Sequence, residues 1–243
     1  MDEGFDLAEV RRALAPEGRL RAAINLGNAV LARRGADGQP EGVTVDLARA
    51  VAARIGVGLE TTGFEAAARV VEALASGAFD IGFLAIDPAR ADAIDFTEPY
   101  VLIEGAYVVR ADAPYARPQD LDADGVRIAV GKGAAYDLFL GRSLARAELV
   151  RYPTSADALA GFLRDGLEAG ANIRQPAARF AAREGGLRVI DEPFMQIRQA
   201  VAIPRGRGPA RDWANGLLAE LKAGGFLAAA LARAGQADAT IAP

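Results

Sequence analysis

The 243-residue chain contains neither histidine nor cysteine, so its chemistry at neutral pH falls chiefly to carboxylates, guanidinium groups, side-chain amides and backbone N–H groups. That removes the commonest general base, the commonest metal ligand and every thiolate. Zinc sites, Ser-His triads and disulfides are excluded, and neither a metal nor a cofactor is expected. The segment VGKGAAY places a loop at a helix N-terminus, where the amides of Gly133, Ala134 and Ala135 either face an anion or form an ordinary strand-to-helix turn. It lacks the GxxxxGK[ST] spacing of a phosphate loop, so nothing points to ATP. Asn25 and Asn28 flank Gly27 at the end of an apolar run. Their amides either read polar atoms of a ligand at the carboxyl end of a strand or simply favour the turn.

These groups must be positioned by a chain that is 51% apolar and 25% charged, a composition that buries a substantial core. The net charge of −4 gives no reason to expect nucleic acid or an anionic membrane as partner. No apolar run approaches the roughly 20 residues that span a bilayer. The opening MDEGFDLAEVRR lacks the basic and apolar regions of a signal peptide, which is consistent with a cytoplasmic protein or with a leader already removed. RLRAAINL reads as a strand, and Thr44 or Asp46 is expected to cap a helix through VDLARAVAARIG. A strand near Leu59, a helix from Ala67 to Ala75 and the strand FDIGFLA follow. Strands alternating with short helices indicate a parallel sheet with helical crossovers. After the turn-rich ADAPYARPQDLDADG a second alternating series begins, and two helices, Pro209 to Lys222 and Phe226 to Ala234, end the chain.

Taken in order, four segments resemble type II periplasmic binding proteins, specifically the amino-acid-type family 3 solute-binding proteins of ABC transporters. They are GVTVDLARAVAARIGV, ALASGAFDIGFLAIDPARADAIDFTEPY, DLDADGVRIAVGKGAAYDLFL and the final helices. The resemblance implies an α/β fold of two lobes, each with a mixed, mostly parallel sheet flanked by helices, joined by two hinge strands near Leu102 to Val109 and Met195 to Ile203. Residues 1–104 plus 201–243 would form the first lobe and 105–200 the second, with a ligand in the cleft between them. Arg90 stands where the family's arginine grips the ligand carboxylate, a task suited to the paired donors of a guanidinium. Phe64 would open the second helix as an apolar wall of the cleft or serve as core. Phe96 and Tyr100 are expected to pack beneath it, and Glu104 to pair with Arg198 in the opposite hinge strand in preference to facing the ligand.

Several positions depart from the family pattern. Asn28 stands where an aromatic ring is common, and Ala85 where a hydroxyl is common, with Asp87 two residues on. The strand that ordinarily delivers an aspartate to a ligand ammonium reads EAGANIRQP, with Ile173 at the expected place and Arg174 beside it. An unpartnered buried ammonium costs on the order of several kcal/mol. The expected ligand is therefore a carboxylate without the ammonium, a dianion held between Arg90 and Arg174 being one form of it; under a shifted alignment Asn172, Glu168 or Asp87 serves an ammonium instead. The resemblance thus implies a solute-binding protein, not an enzyme: a monomeric receptor for a small carboxylate-bearing molecule, an amino acid or related organic acid. It would partner an ABC transporter permease, without membrane insertion, and would be periplasmic if exported. The alternatives are a cyclohexadienyl-dehydratase-like enzyme, for which Glu104, Glu168 and Asp87 are the available acids, and a free-standing sensor.

Overall fold

The computed structural model describes residues 5–243; the first four residues of the expected first lobe lie outside the described residues. The chain divides into two compact units. The first comprises the described residues through Leu102 together with Arg198–Pro243, and the second Ile103–Ile197. In chain order the first unit holds α1 (Leu7–Leu14), β1 (Arg19–Asn25), the short pair β2 (Arg33–Arg34) and β3 (Pro40–Glu41), and α2 (Val43–Ile55). It continues through β4 (Gly58–Phe64), α3 (Ala67–Ala75), β5 (Ile81–Ala85), β6 (Ile94–Phe96) and the start of β7 (Val101–Arg110). The second unit holds β8 (Arg127–Gly131), α4 (Ala135–Ser143), β9 (Glu148–Tyr152), α5 (Ser155–Arg164), β10 (Ala169–Ile173), α6 (Arg174–Glu184) and β11 (Leu187–Val189). The chain returns through β12 (Met195–Pro204) and completes the first unit with α7 (Gly208–Ala223), α8 (Phe226–Arg233) and β13 (Thr240–Ile241).

In the first unit β1 pairs in parallel with both β4 and β5, and β12 runs antiparallel along β5. Leu20, Ala22, Ala23 and Ile24 of β1 and all of β5 are buried, the near-continuous apolar burial of strands covered on both faces. The α2 helix buries Leu47, Ala48, Val51, Ala52 and Ile55 along one stripe. It stops at Gly56, whose φ of 68° lets the Gly56 and Val57 amides turn back onto the carbonyls of Ala53 and Ala52. Neither Thr44 nor Asp46 caps this helix. It begins one residue before Thr44, after Gly42, so both fall inside its first turn: the Thr44 hydroxyl faces the Leu31 carbonyl, and Asp46 holds Arg49 and Arg233. The α1 helix is an element the sequence pattern did not single out. Its amide at Ala8 is capped by Asp6 at 2.8 Å, and Val10 and Leu14 bury its inner face.

In the second unit β10 runs antiparallel to β7 and parallel to β8, which in turn pairs in parallel with β9. Its core gathers Val108, Ala129, Tyr152, Leu159, Phe162 and Phe180 from both strands and helices.

One ionic lock ties the first unit together. Asp80, with no exposed surface, accepts hydrogen bonds from the Arg21 amide at 3.1 Å and from its guanidinium at 2.9 Å, and pairs with Arg207 at 3.5 Å. Removing the carboxylate leaves two guanidinium groups short of their counter-charge. Asp80→Ala is expected to lower the free energy of unfolding in urea by about 3 kcal/mol or more. Loss of the exposed cap in Asp6→Ala should cost only about 1 kcal/mol. Equal effects from the two changes would contradict the lock.

Candidate functional site

The parallel register of β1 and β4 sets Asn25 beside Phe64, and β5 ends at Ala85 on the same, carboxyl-terminal edge of the sheet. Beyond Ala85 the chain makes a single 3₁₀ turn, Pro88–Arg90. Asp87 begins it by accepting the Ala89 amide at 2.9 Å, and Pro88 presets the backbone of its first position. The turn carries Arg90 back toward the strand end, where Nη1 donates to the Ala85 carbonyl at 2.7 Å. Only 3% of Arg90 is exposed. Burial pushes its pKa down to about 10, with the Asp87 charge working in the opposite direction. The guanidinium is therefore cationic at neutral pH, desolvated and fixed in place, the properties of an anion grip.

Asn25 and Asn28 belong to this edge but spend their acceptor oxygens on the loop. Asn25 Oδ1 takes the Gly27 amide at 3.1 Å and Asn28 Oδ1 the Val30 amide at 3.3 Å, two Asx turns in sequence. Phe64 does not open a helix. It ends β4, three residues before α3 begins, and packs edge to face on Phe79 at 5.4 Å against the cluster of Val70 and Leu74. It is partly buried against that cluster, as is Phe96, whereas Tyr100 is fully buried. Gln199 was missed by the sequence reading. It lies directly across from Ala85 in the β12–β5 pairing and is 4% exposed. The signal was a polar residue leading the otherwise apolar QAVAI.

In the second unit the expected amide rim is largely closed on itself. Gly133, at φ 72°, donates its N–H to Asp137 Oδ2 at 2.8 Å, and the Ala134 N–H goes to the Gly131 carbonyl at 3.1 Å. Of the three, Ala135 alone sits in the first turn of α4, where a helix amide has no intrahelical acceptor. Asp137, itself buried and bound to Arg151 at 2.8 Å, puts a carboxylate where the helix N-terminus attracts negative charge. An acid in the first turn was visible in GAAYD and was not used.

The alternatives for an ammonium are also engaged. Asn172 donates to the Ser155 carbonyl at 3.0 Å and accepts the Ile173 amide at 2.8 Å. Glu168 accepts hydrogen bonds from the Arg127 amide and from Nε and Nη2 of its guanidinium at 2.8–3.0 Å, which holds its carboxyl below the usual range. Glu104 does not pair with Arg198, which lies 3.9 Å from Glu98. The β10–β7 register sets Ile173 opposite Gly105, so the next residue, Arg174, meets Glu104. Arg174 also donates to the carbonyls of Ile190 and Asp191, at 3.4 and 2.6 Å. In place of a second anion clamp, Arg174 is a tie between segments of its own unit.

The model of the bacterial extracellular solute-binding proteins, family 3, matches residues 20–236, and the chain belongs to that family. Among solved structures it is similar to a solute receptor for L-cysteine of Neisseria gonorrhoeae, with 24% identity, 94% of this chain and 92% of that one covered, and a TM-score of 0.79. It is similar to an amino acid ABC transporter substrate-binding protein of Streptococcus pneumoniae bound to L-arginine, at 23% identity over 93% and 98% with a TM-score of 0.79. An ancestral amino acid-binding protein described as a precursor of cyclohexadienyl dehydratase aligns at 24% identity over 93% and 98%, with a TM-score of 0.76. These likenesses identify the type II periplasmic binding-protein fold. No curated protein matches the sequence.

The Arg174 tie has a measurable signature. Arg174→Gln should destabilise the chain by about 1–3 kcal/mol, because carbonyls lose charged donors. Glu104→Gln should cost less than about 1 kcal/mol, since half of that carboxylate's side chain is exposed. Denaturant unfolding that ranks the two variants the other way round would reject the assignment.

Proposed function

We propose that this family 3 protein captures a small carboxylate-bearing molecule, an amino acid or related organic acid, and serves as the receptor of an ABC transporter outside the cytoplasm. The observation that carries the reading is the buried Arg90 guanidinium at the carboxyl-terminal edge of the first unit's parallel strands. Ligands of open α/β sheets bind beyond that edge. Around Arg90, the amide of Gln199, the side-chain nitrogens of Asn25 and Asn28 and the carboxylate of Asp87 are the polar groups proposed to read the rest of the ligand. Permease partnership and location follow the family norm.

Between ligands with and without an ammonium, the geometry favours those without. Asn172 is bonded at both ends, Glu168 is held by Arg127, and Ile173 offers no charge. Asp87 stands in the same turn as Arg90 and acts on its charge. It keeps a second reading in view, an α-amino acid with its ammonium on Asp87, which the arginine- and cysteine-binding relatives support. An enzyme is less well supported: a general acid needs a raised pKa, and Glu168 is shifted downward by Arg127.

Calorimetric titration with the twenty amino acids, dicarboxylates and 2-oxo and 2-hydroxy acids tests the proposal. A carboxylate ligand should bind wild type and lose at least about tenfold in affinity in Arg90→Gln, with Arg90→Lys between the two. Full affinity in Arg90→Gln would reject the grip, and micromolar binding of a common amino acid would reject the ammonium-free form. Because Arg90 titrates near 10 and the chain has no histidine, affinity should be flat from about pH 6 to pH 8.

A further inference from the structure

The second unit contains a cavity of about 430 Å³ that none of the preceding chemistry uses. It lies where β7, the turn Pro118–Leu121, the second half of α4 and the segment before β12 meet. Its size is that of a small-molecule pocket. Three rings form its wall: Tyr107 and Phe194 have centroids 4.4 Å apart, and Phe139 stacks on Phe194 at 6.3 Å. Gly105 allows this packing, since a Cβ there would lie 2.9 Å from the Phe194 ring.

Two further observations point to a ligand. Tyr107 is 1% exposed and lines the cavity, yet its hydroxyl has no hydrogen-bond partner among the described residues. The oxygen is not sealed in the protein, unlike that of Tyr100, and so is open to whatever fills the cavity. The charged groups lining the cavity, Asp122 and Glu192, are both carboxylates. Asp122 accepts the amides of Ala145, Arg146 and Ala147, which keep it ionised, and Glu192 sits at the rim against Gln119.

We infer that this cavity is a second binding site, separate from the carboxylate grip, for a small organic cation with an aromatic or apolar body. Ring faces attract cations, the two carboxylates set the sign of the local field, and the Tyr107 oxygen accepts a hydrogen bond from an ammonium N–H. An anion would meet like charge at the rim and has no cation to face.

Calorimetry of the full chain with 2-phenylethylammonium, 2-phenylethanol and phenylacetate separates charge from shape. The ammonium should bind saturably at one site per chain, with the alcohol at least about tenfold weaker. Tyr107→Phe, Phe194→Leu and the surface change Glu192→Gln should each weaken the ammonium severalfold, the last also reducing its salt dependence. Arg90→Gln should leave it unchanged, which keeps this site distinct from the carboxylate site. Absence of saturable binding, equal binding of the alcohol, indifference to all three cavity changes, or loss in Arg90→Gln would overturn the inference.

Discussion

A guanidinium taken almost wholly out of water is the constraint around which the first unit's polar edge is arranged. Desolvating Arg90 is unfavourable, and the Ala85 carbonyl and the Asp87 charge offset only part of that, because burial still outweighs Asp87 in setting the pKa. Arg90 therefore stays a desolvated cation at the strand ends. On the proposed reading a carboxylate ligand would meet it there, in a medium where the attraction is several-fold stronger than on a wet surface. The geometry is fixed before any ligand arrives: β5 ends at Ala85, Asp87 caps the turn, Pro88 sets its first residue, and Arg90 has little choice of direction. Such pre-organisation reduces the ordering cost of binding.

The second unit follows the opposite rule, in that its polar groups largely satisfy one another. Gly133 and Asp137, Asn172 and Ser155, Glu168 and Arg127, and Glu104 and Arg174 are each internal pairs. A group whose partner is already in place gains little from a ligand that would have to displace it. The aromatic cavity differs in kind, since Tyr107, Asp122 and Glu192 line it together. Its acidic lining gives it the charge preference opposite to that of Arg90.

Much of this arrangement was legible in the sequence. Alternating apolar runs and glycine stops located the strands and most helices, because those features depend on spacing along one chain, whereas Arg90 was singled out by the family resemblance. What misled was pairing at a distance. Glu104 was assigned to Arg198 on the assumption that hinge strands face each other, whereas the β10–β7 register, fixed by which faces are buried, sets residue 174 against it. Gly133 and Ala134 read as donors because a loop precedes a helix there. Whether such amides are free depends on Asp137 within the first turn and on the Gly131 carbonyl behind it. Phe64 ends β4 instead of opening the following helix, a boundary that spacing along the chain placed only loosely. The α1 helix, short and strongly charged, gave too few apolar positions to stand out, though Asp6 was in place to cap it.

Asp87 also bears on the choice between a zwitterion and a simple acid. It opposes the desolvation of Arg90, so its charge is already in use. An ammonium that paired with Asp87 would draw the carboxylate's field away from Arg90 while losing its own hydration, and two buried ion pairs sharing one turn rarely recover both costs. On the proposed reading, an acid without the ammonium leaves the Asp87 charge stabilising Arg90. The missing second-unit aspartate at position 173 is consistent with that division of charge: with no ammonium to meet, an isoleucine there loses nothing and adds to the core of its own strand.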